Sequence, residues 1–180
     1  MAFKSYVPTP QGHWEEYWDK TTIEKNLIDC DTDGLLPILG RYLSKSQKIL
    51  EAGCGLGKWV IYFSKKGYDI FGVDSYSKAI QALKKYDSTL KVSQDKVEKL
   101  SFTDNFFDVY LSFGVVEHFE EGPQKALLEA YRILKKKGVK RFGMHTMIIS
   151  NELNESYFIE TARMMFELAV EVYQKTGVKV

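Results

Sequence analysis

The chain has 180 residues, of which 44% are hydrophobic and 27% are charged, and its formal net charge is +1 at pH 7. This composition is typical of one globular domain with a substantial core, and it excludes a disordered chain. The near-neutral charge predicts no general attraction to nucleic acid or to an anionic membrane.

The two cysteines, Cys30 and Cys54, do not have the spacing of a zinc site, so we expect reduced thiols and no metal. The first thirty residues lack the apolar core of a signal peptide. No stretch approaches the roughly 20 apolar residues that span a bilayer. These features predict a cytoplasmic protein without a membrane partner.

We expect residues 1–46 to form an N-terminal helical cap, with one or two short helices over 13–28 and another over 34–44. Aromatic side chains recur on one face of the first helix, at His13, Trp14, Tyr17 and Trp18. This face packs against the domain, lines a ligand pocket, or does both. Tyr17, and Tyr6 in the preceding arm, are candidate contacts to a substrate.

The segment 48–74 contains the most informative pattern of the chain. It predicts a strand at 48–52, a glycine turn, a helix at 57–67 and a strand at 69–73 that leads into Asp74. The turn carries three alternate glycines, Gly53, Gly55 and Gly57. Glycines let the backbone approach a ligand closely, and an acid after the second strand suits the hydroxyls of a ribose. The pattern therefore predicts a nucleoside site.

Two common nucleotide motifs are excluded by the residues that follow the glycines. Lys58 stands where the dinucleotide fingerprint needs its third glycine, and Trp59 stands where a phosphate loop needs Ser or Thr. What remains is an acid, Glu51, two residues before the first glycine. A carboxylate at this place would meet a cationic amino group rather than a phosphate.

The rest of the core, within 47–150, continues the alternation of helices and strands. Elements are predicted at 77–86 (helix), 90–93 (strand), 96–100 (short helix), 107–112 (strand), 122–136 (helix) and 141–149 (strand). Such alternation predicts an α/β fold, a Rossmann-like doubly wound and mostly parallel sheet with helices on both faces. The strand ends then bring Glu51, Asp74, Asp95 and Ser112-Phe113 to one crevice.

Three motifs in this order are similar to those of the class I S-adenosylmethionine-dependent methyltransferases. The first is the acid-x-G-x-G-x-G run from Glu51. The second is 106–119, whose Asp108 opens a strand that leads to Glu117-His118. The third is 130–138, although Lys137 and Val139 replace the usual proline and second glycine. The resemblance covers about residues 10–150.

The resemblance implies S-adenosylmethionine as the cofactor and S-adenosylhomocysteine as the product. It assigns the cofactor's amino group to Glu51, its ribose to Asp74 and its adenine to Asp95. The full cofactor set is Glu51, Gly53, Cys54, Gly55, Gly57, Asp74, Ser75, Asp95, Lys96, Val97 and Phe113. His118 is the candidate catalytic base because its ordinary pKa suits proton removal near neutrality, or else it only orients its loop.

The methyl acceptor is not specified by the sequence. Methylases of exocyclic base amines carry a D/N-P-P-Y/F motif where this chain has 112–115, which reads SFGV. A small-molecule acceptor is therefore favoured, nucleic acid is disfavoured, and a protein acceptor stays open. Two alternatives to a methyltransferase remain: a catalytically silent subunit of the same fold that scaffolds a partner, and another nucleoside-using enzyme of this fold.

The last segment, 151–180, predicts one helix over 153–175 that belongs to the same domain. It leaves no room for the final β-hairpin that the resemblance implies, so strand 141–149 would lie at an open sheet edge. Three arrangements are open. The chain forms a homodimer through this helix or edge, the helix alone covers the edge, or the tail is the altered end of a longer parent.

Overall fold

The computed structural model describes residues 13–115, 119, 123–134, 170 and 174. The helices in this part are α1 (His13–Asp19), α2 (Ile23–Leu27), α3 (Leu36–Tyr42), α4 (Lys58–Lys65), α5 (Ser77–Tyr86) and α6 (Gln124–Ile133). The strands are β1 (Lys48–Ala52), β2 (Asp69–Asp74), β3 (Lys91–Gln94) and β4 (Val109–Leu111).

The four described strands form one parallel sheet in the order β3-β2-β1-β4. The chain builds outward from β1 to β3 and then returns to place β4 on the other side of β1. In open α/β sheets, ligands bind at the carboxyl ends of the strands where the order reverses in this way. This topology confirms the predicted Rossmann-like fold and locates its crevice beside the end of β1.

Both faces of the sheet are covered, which is why consecutive residues of β1, Ile49 and Leu50, are both apolar. On one face, Leu50 is fully buried in a cluster that includes Ile133 of α6. On the other face, Ile49 is fully buried with Leu39 of α3 and Phe63 of α4. The strand is thus packed on both faces, and this packing fixes the position of the residues at its carboxyl end.

Most predicted elements within the described residues are confirmed. β1 and α5 have their predicted bounds, β2 and β3 differ by one residue, and the others are shorter by a few residues. The short helix predicted at 96–100 is wrong. Lys96 and Lys99 form an antiparallel bridge around a tight turn instead. The Asp95 carboxylate draws this turn together, because it accepts hydrogen bonds from the backbone N–H groups of Lys96 (3.0 Å) and Ser101 (2.7 Å).

The strand predicted at 141–149 lies outside the described residues. So does the helix predicted at 153–175, except for Val170 and Gln174, which are both helical. The domain boundaries, the homodimer and the absence of the final hairpin therefore stay predictions. Among the helices within the described ranges, none is long and apolar enough to cross a membrane.

Candidate functional site

The glycine loop leaves β1 and is fastened to the end of β2. The backbone N–H groups of Gly53 and Cys54 both donate to the carbonyl of Val73, at 2.8 and 2.9 Å. Gly55 donates its N–H to the Asp74 carboxylate at 2.7 Å. These bonds fold the loop back over the sheet edge, as the spacing of the glycines predicts.

All three loop glycines are in conformations that other residues rarely adopt. Gly53, Gly55 and Gly57 have φ values of 82°, 50° and 70°. A methyl group on Gly53 would overlap the side chain of Val115, and one on Gly55 would overlap the indole ring of Trp18. Both positions therefore require glycine for backbone geometry and for close approach.

Asp74 connects the two loops that border the crevice. One carboxylate oxygen accepts the N–H of Gly55, and the other accepts the N–H of Tyr76 at 2.9 Å. Burial raises the pKa of this carboxyl above its ordinary value, and the two backbone N–H groups oppose that shift. Ser75, beside it, is exposed and accepts a hydrogen bond on its carbonyl from Gln94 at 3.0 Å.

Glu51 is the buried acid at the carboxyl end of β1. It is 5% exposed, and one carboxyl oxygen accepts the N–H of Val60, in the first turn of α4, at 3.1 Å. Burial raises the pKa of Glu51 to about 8, and the nearby Asp74 carboxylate acts in the same direction. At neutral pH and without a cationic partner, burial therefore favours the neutral, protonated form of this carboxyl.

Asp95, Lys96 and Val97 lie at the neighbouring strand end. The N–H of Asp95 donates to the carbonyl of Asp74 at 3.1 Å, so the two acids border the same edge. Both oxygens of Asp95 accept backbone N–H groups of the following turn. Val97 is buried, whereas Lys96 is exposed. The adenine assignment of this segment stays a prediction.

The end of β4 closes the crevice on the opposite side. The Ser112 hydroxyl donates to the carbonyl of Ala52 at 3.1 Å, which joins the end of β4 to the end of β1. Phe113 packs against the cluster that contains Ile49. His118, the candidate base, lies outside the described residues, and its role stays a prediction.

The structure adds three contacts that the sequence reasoning missed. The indole of Trp18 covers Gly55, the side chain of Val115 covers Gly53, and the Lys58 ammonium binds the Asp33 carboxylate. One signal for the last contact is present in the sequence. Lys58 begins a helix, where the helix dipole disfavours a cation, so an acidic partner was to be expected.

The turn after α1 borders a groove of about 510 Å³ next to this loop. Its lining includes Trp18, Leu56 of the glycine loop and Tyr76. Asp19 holds α1 in place here, because its carboxylate accepts the Tyr76 hydroxyl at 2.6 Å and the Lys78 ammonium at 3.1 Å. Trp18 of α1 thus packs directly against the glycine loop. A ligand-lining role for the aromatic face of α1 stays a prediction.

The chain is similar in sequence to known proteins. A family described as a methyltransferase domain matches residues 50–142, which is more than half of the chain. The chain belongs to this family. Two uncharacterized methyltransferases, from Schizosaccharomyces pombe and Synechocystis, are 33% and 29% identical to it over 54% and 58% of its length. The matched part is 40% and 50% of those two relatives, so the chain spans about half of their length.

Solved structures support the same assignment. An S-adenosylmethionine-dependent methyltransferase from Thermotoga maritima is 26% identical over 70% of this chain and 57% of its own length, with a TM-score of 0.54. A protein from Pyrococcus horikoshii, also 26% identical, covers 67% of this chain and 61% of its own length, with a TM-score of 0.59. The methyltransferase domain is thus of the class I, S-adenosylmethionine-dependent kind.

Proposed function

We propose that this chain binds S-adenosylmethionine in the crevice at the ends of β1, β2 and β3 and transfers its methyl group to a small molecule. The single observation that carries the proposal is the junction of Asp74 with the glycine loop. One carboxylate there fixes Gly55 on one side and Tyr76 on the other, and Glu51 lies buried at the adjacent strand end.

The residues present fit this cofactor. Gly53 and Gly55 keep the loop free of side chains where Val115 and Trp18 lie against its backbone. Glu51 supports recognition of an ammonium group, because it is a buried acid and a ligand cation would favour its charged form. Asp74 lies where two ribose hydroxyls would donate to a carboxylate. When bound, the cofactor supplies a methyl group that is already electrophilic because of the sulfonium charge.

The protein's remaining tasks are to orient the acceptor and, for an oxygen or nitrogen acceptor, to remove a proton. We propose His118 for proton removal. Residues 112–115 read SFGV and lack the D/N-P-P-Y/F motif of base-amine methylases, which supports a small-molecule acceptor over a nucleic acid. The net charge of +1 supports the same choice.

Two measurements test the proposal together. The first is equilibrium binding of S-adenosylhomocysteine to the folded chain and to Asp74→Asn, with Asp69→Asn as the matched control at the start of the same strand. The second is transfer of a labelled methyl group from S-adenosylmethionine to a panel of small hydroxy, amino and carboxylate compounds. Binding that depends on Asp74 but not on Asp69 supports the site, and label transfer to any of these compounds supports the reaction.

A folded chain that binds neither adenosyl compound would contradict the proposal. Binding without transfer to any acceptor, in the presence of partner proteins as well as alone, would favour the alternative of a silent scaffold subunit.

A further inference from the structure

The turn that follows β3, residues 95–101, is held by carboxylates on two sides. The N–H of Ser101 donates to the Asp95 carboxylate, within the turn, at 2.7 Å. The N–H of Leu100, the preceding residue, donates to the Glu129 carboxylate of α6, also at 2.7 Å. Two successive backbone N–H groups therefore bind two different acids, one at the edge of the crevice and one on α6.

Arg132 completes the connection between α6 and this turn. Its guanidinium donates to both oxygens of the Glu129 carboxylate, at 2.8 and 2.6 Å. It also donates to the carbonyl of Leu100 at 3.0 Å. Because a guanidinium paired with both oxygens of a carboxylate has a fixed geometry, the N–H and the carbonyl of Leu100 are both bound by one rigid unit.

The part of this network that faces the turn is the better shielded part. The Glu129 side chain is 14% exposed, and Leu100 is buried in the cluster that contains Val97. The other partner of Arg132, Asp104, is 61% exposed, and exposed ion pairs contribute little to stability. The contacts of Arg132 and Glu129 with Leu100 are therefore the ones that fix the turn.

The turn in question borders the crevice. The N–H of Asp95 donates to the carbonyl of Asp74 at 3.1 Å, so the position of Asp95 is set by β2 on one side and by the turn on the other. A carboxylate has about four lone-pair sites. The backbone N–H groups of Lys96 and Ser101 use two of them in Asp95, which is half-buried. The remaining sites can accept hydrogen bonds from a ligand.

We propose that Arg132 and Glu129 are positioning residues, which act through the backbone of Leu100 to hold the Asp95 carboxylate where it accepts the amino group of the ligand's base. This inference deepens the proposed function and rests on it, because it needs an adenosyl ligand in the crevice. Both residues act through the turn and do not touch the ligand. Recognition of the base therefore depends on α6, whereas binding of the rest of the ligand does not.

The experiment measures recognition of the base by itself. Dissociation constants are determined for S-adenosylhomocysteine and for the analogue that has hydrogen in place of the amino group of the base. Their ratio reports the hydrogen bond of that amino group. Because a hydrogen bond to a charged acceptor is strong, we expect the unchanged chain to prefer the adenosyl compound by at least about tenfold.

Two variants test the positioning pair. Arg132→Lys keeps the positive charge beside Glu129 but loses the planar fork, so we expect the ratio to fall by about threefold or more because Asp95 is misplaced. Glu129→Gln keeps an acceptor for the N–H of Leu100 but weakens the pair with Arg132, and the ratio should fall in the same direction. In both variants the affinity for the analogue without the amino group should stay close to that of the unchanged chain.

Two control variants keep the contacts of the turn. Asp104→Asn removes the exposed partner of Arg132 and leaves Leu100 bound. Arg41→Lys makes the same exchange on α3, which packs on the opposite face of the sheet from α6. We expect both controls to keep the ratio of the unchanged chain, and thermal unfolding shows that each variant is folded.

A fall in affinity for both ligands by the same factor in Arg132→Lys would show that the network only stabilises the fold, and it would overturn the positioning role. A ratio that stays unaltered in Arg132→Lys and Glu129→Gln would overturn it too, as would an equal fall in Asp104→Asn. If the unchanged chain binds the two ligands equally, the inference is wrong and the proposed function stands. If the folded chain binds neither ligand, the proposed function fails, and this inference fails with it.

Discussion

The buried Glu51 carboxyl predicts an unusual dependence of stability on pH. A carboxyl whose pKa is raised in the folded state stabilises the fold while both states hold the proton, and this stabilisation is lost as pH rises through the folded pKa. The ordinary pKa of Glu51 is 4.5, and its pKa in the folded protein is about 8. Between pH 5.5 and 7.5, the unfolded chain has lost this proton and the folded chain keeps it.

The size of the effect follows from the linkage. In this window, one proton held only by the folded state lowers the free energy of unfolding by about 1.4 kcal/mol for each pH unit. The loss from pH 5.5 to 7.5 is therefore about 2 to 3 kcal/mol. Glu51→Gln keeps an acceptor for the N–H of Val60 but cannot ionise, so its stability should lack this part of the pH dependence.

The assay is urea unfolding of both proteins at pH 5.5, 6.5 and 7.5. With a urea dependence of about 2 kcal/mol per molar, the midpoint of the unchanged protein should fall by about 1 M relative to that of Glu51→Gln. Other groups that titrate, Asp74 among them, are present in both proteins and cancel in the difference. Parallel pH profiles for the two proteins would refute the reasoning, as would a midpoint of the unchanged protein that rises with pH relative to that of Glu51→Gln.

Three further substitutions distinguish effects on the stability of the fold from effects on cofactor binding and methyl transfer. Gly55→Ala places a methyl group against the indole ring of Trp18 at a positive φ, so the free energy of unfolding should fall by about 1 to 3 kcal/mol in thermal unfolding. Gly34→Ala, where the added methyl group has open space, should change it almost not at all. Equal effects of the two substitutions would contradict this prediction. Asp74→Asn should weaken binding of S-adenosylhomocysteine by at least about tenfold in a folded protein, while Asp69→Asn leaves it unchanged; unaltered affinity in the first would remove the ribose assignment. His118→Ala should lower the rate of methyl transfer far more than cofactor affinity, and an unaffected rate would exclude it as the base.

The central unit of the fold was predictable because its signals are local. Apolar runs of strand length, a helical period and glycines at the turn all occur within one short stretch, and the family resemblance fixed what the turn is for. Helix α5 was predicted at its observed bounds for the same reason, since Ala79, Ile80 and Leu83 mark one buried face.

The turn at 96–100 shows where local reasoning fails. Its residues have acceptable helical character, but the Asp95 carboxylate binds the N–H groups of Lys96 and Ser101 and closes the segment into a turn. Asp side chains compete with helices through such bonds. The competition depends on where the strand before Asp95 ends, which the sequence predicts only to within a few residues.

The contacts that complete the site join distant parts of the chain. Lys58 and Asp33 are 25 residues apart in the sequence, and Trp18 of α1 contacts Gly55 in the glycine loop. Periodicity shows which face of each cap helix is apolar, but not which loop that face covers. The proposed environment of Glu51 therefore required the packed structure, even though the acid itself was identified from its spacing to the glycines.

The most direct test of the central claim is a calorimetric titration of the folded chain with S-adenosylmethionine, with NAD as the comparison ligand. The crevice described here, with its three glycines and with Lys58 in place of the dinucleotide glycine, predicts binding of S-adenosylmethionine with a dissociation constant on the order of micromolar and no binding of NAD. Binding of NAD in preference to S-adenosylmethionine, or no binding of either by a folded sample, would contradict it.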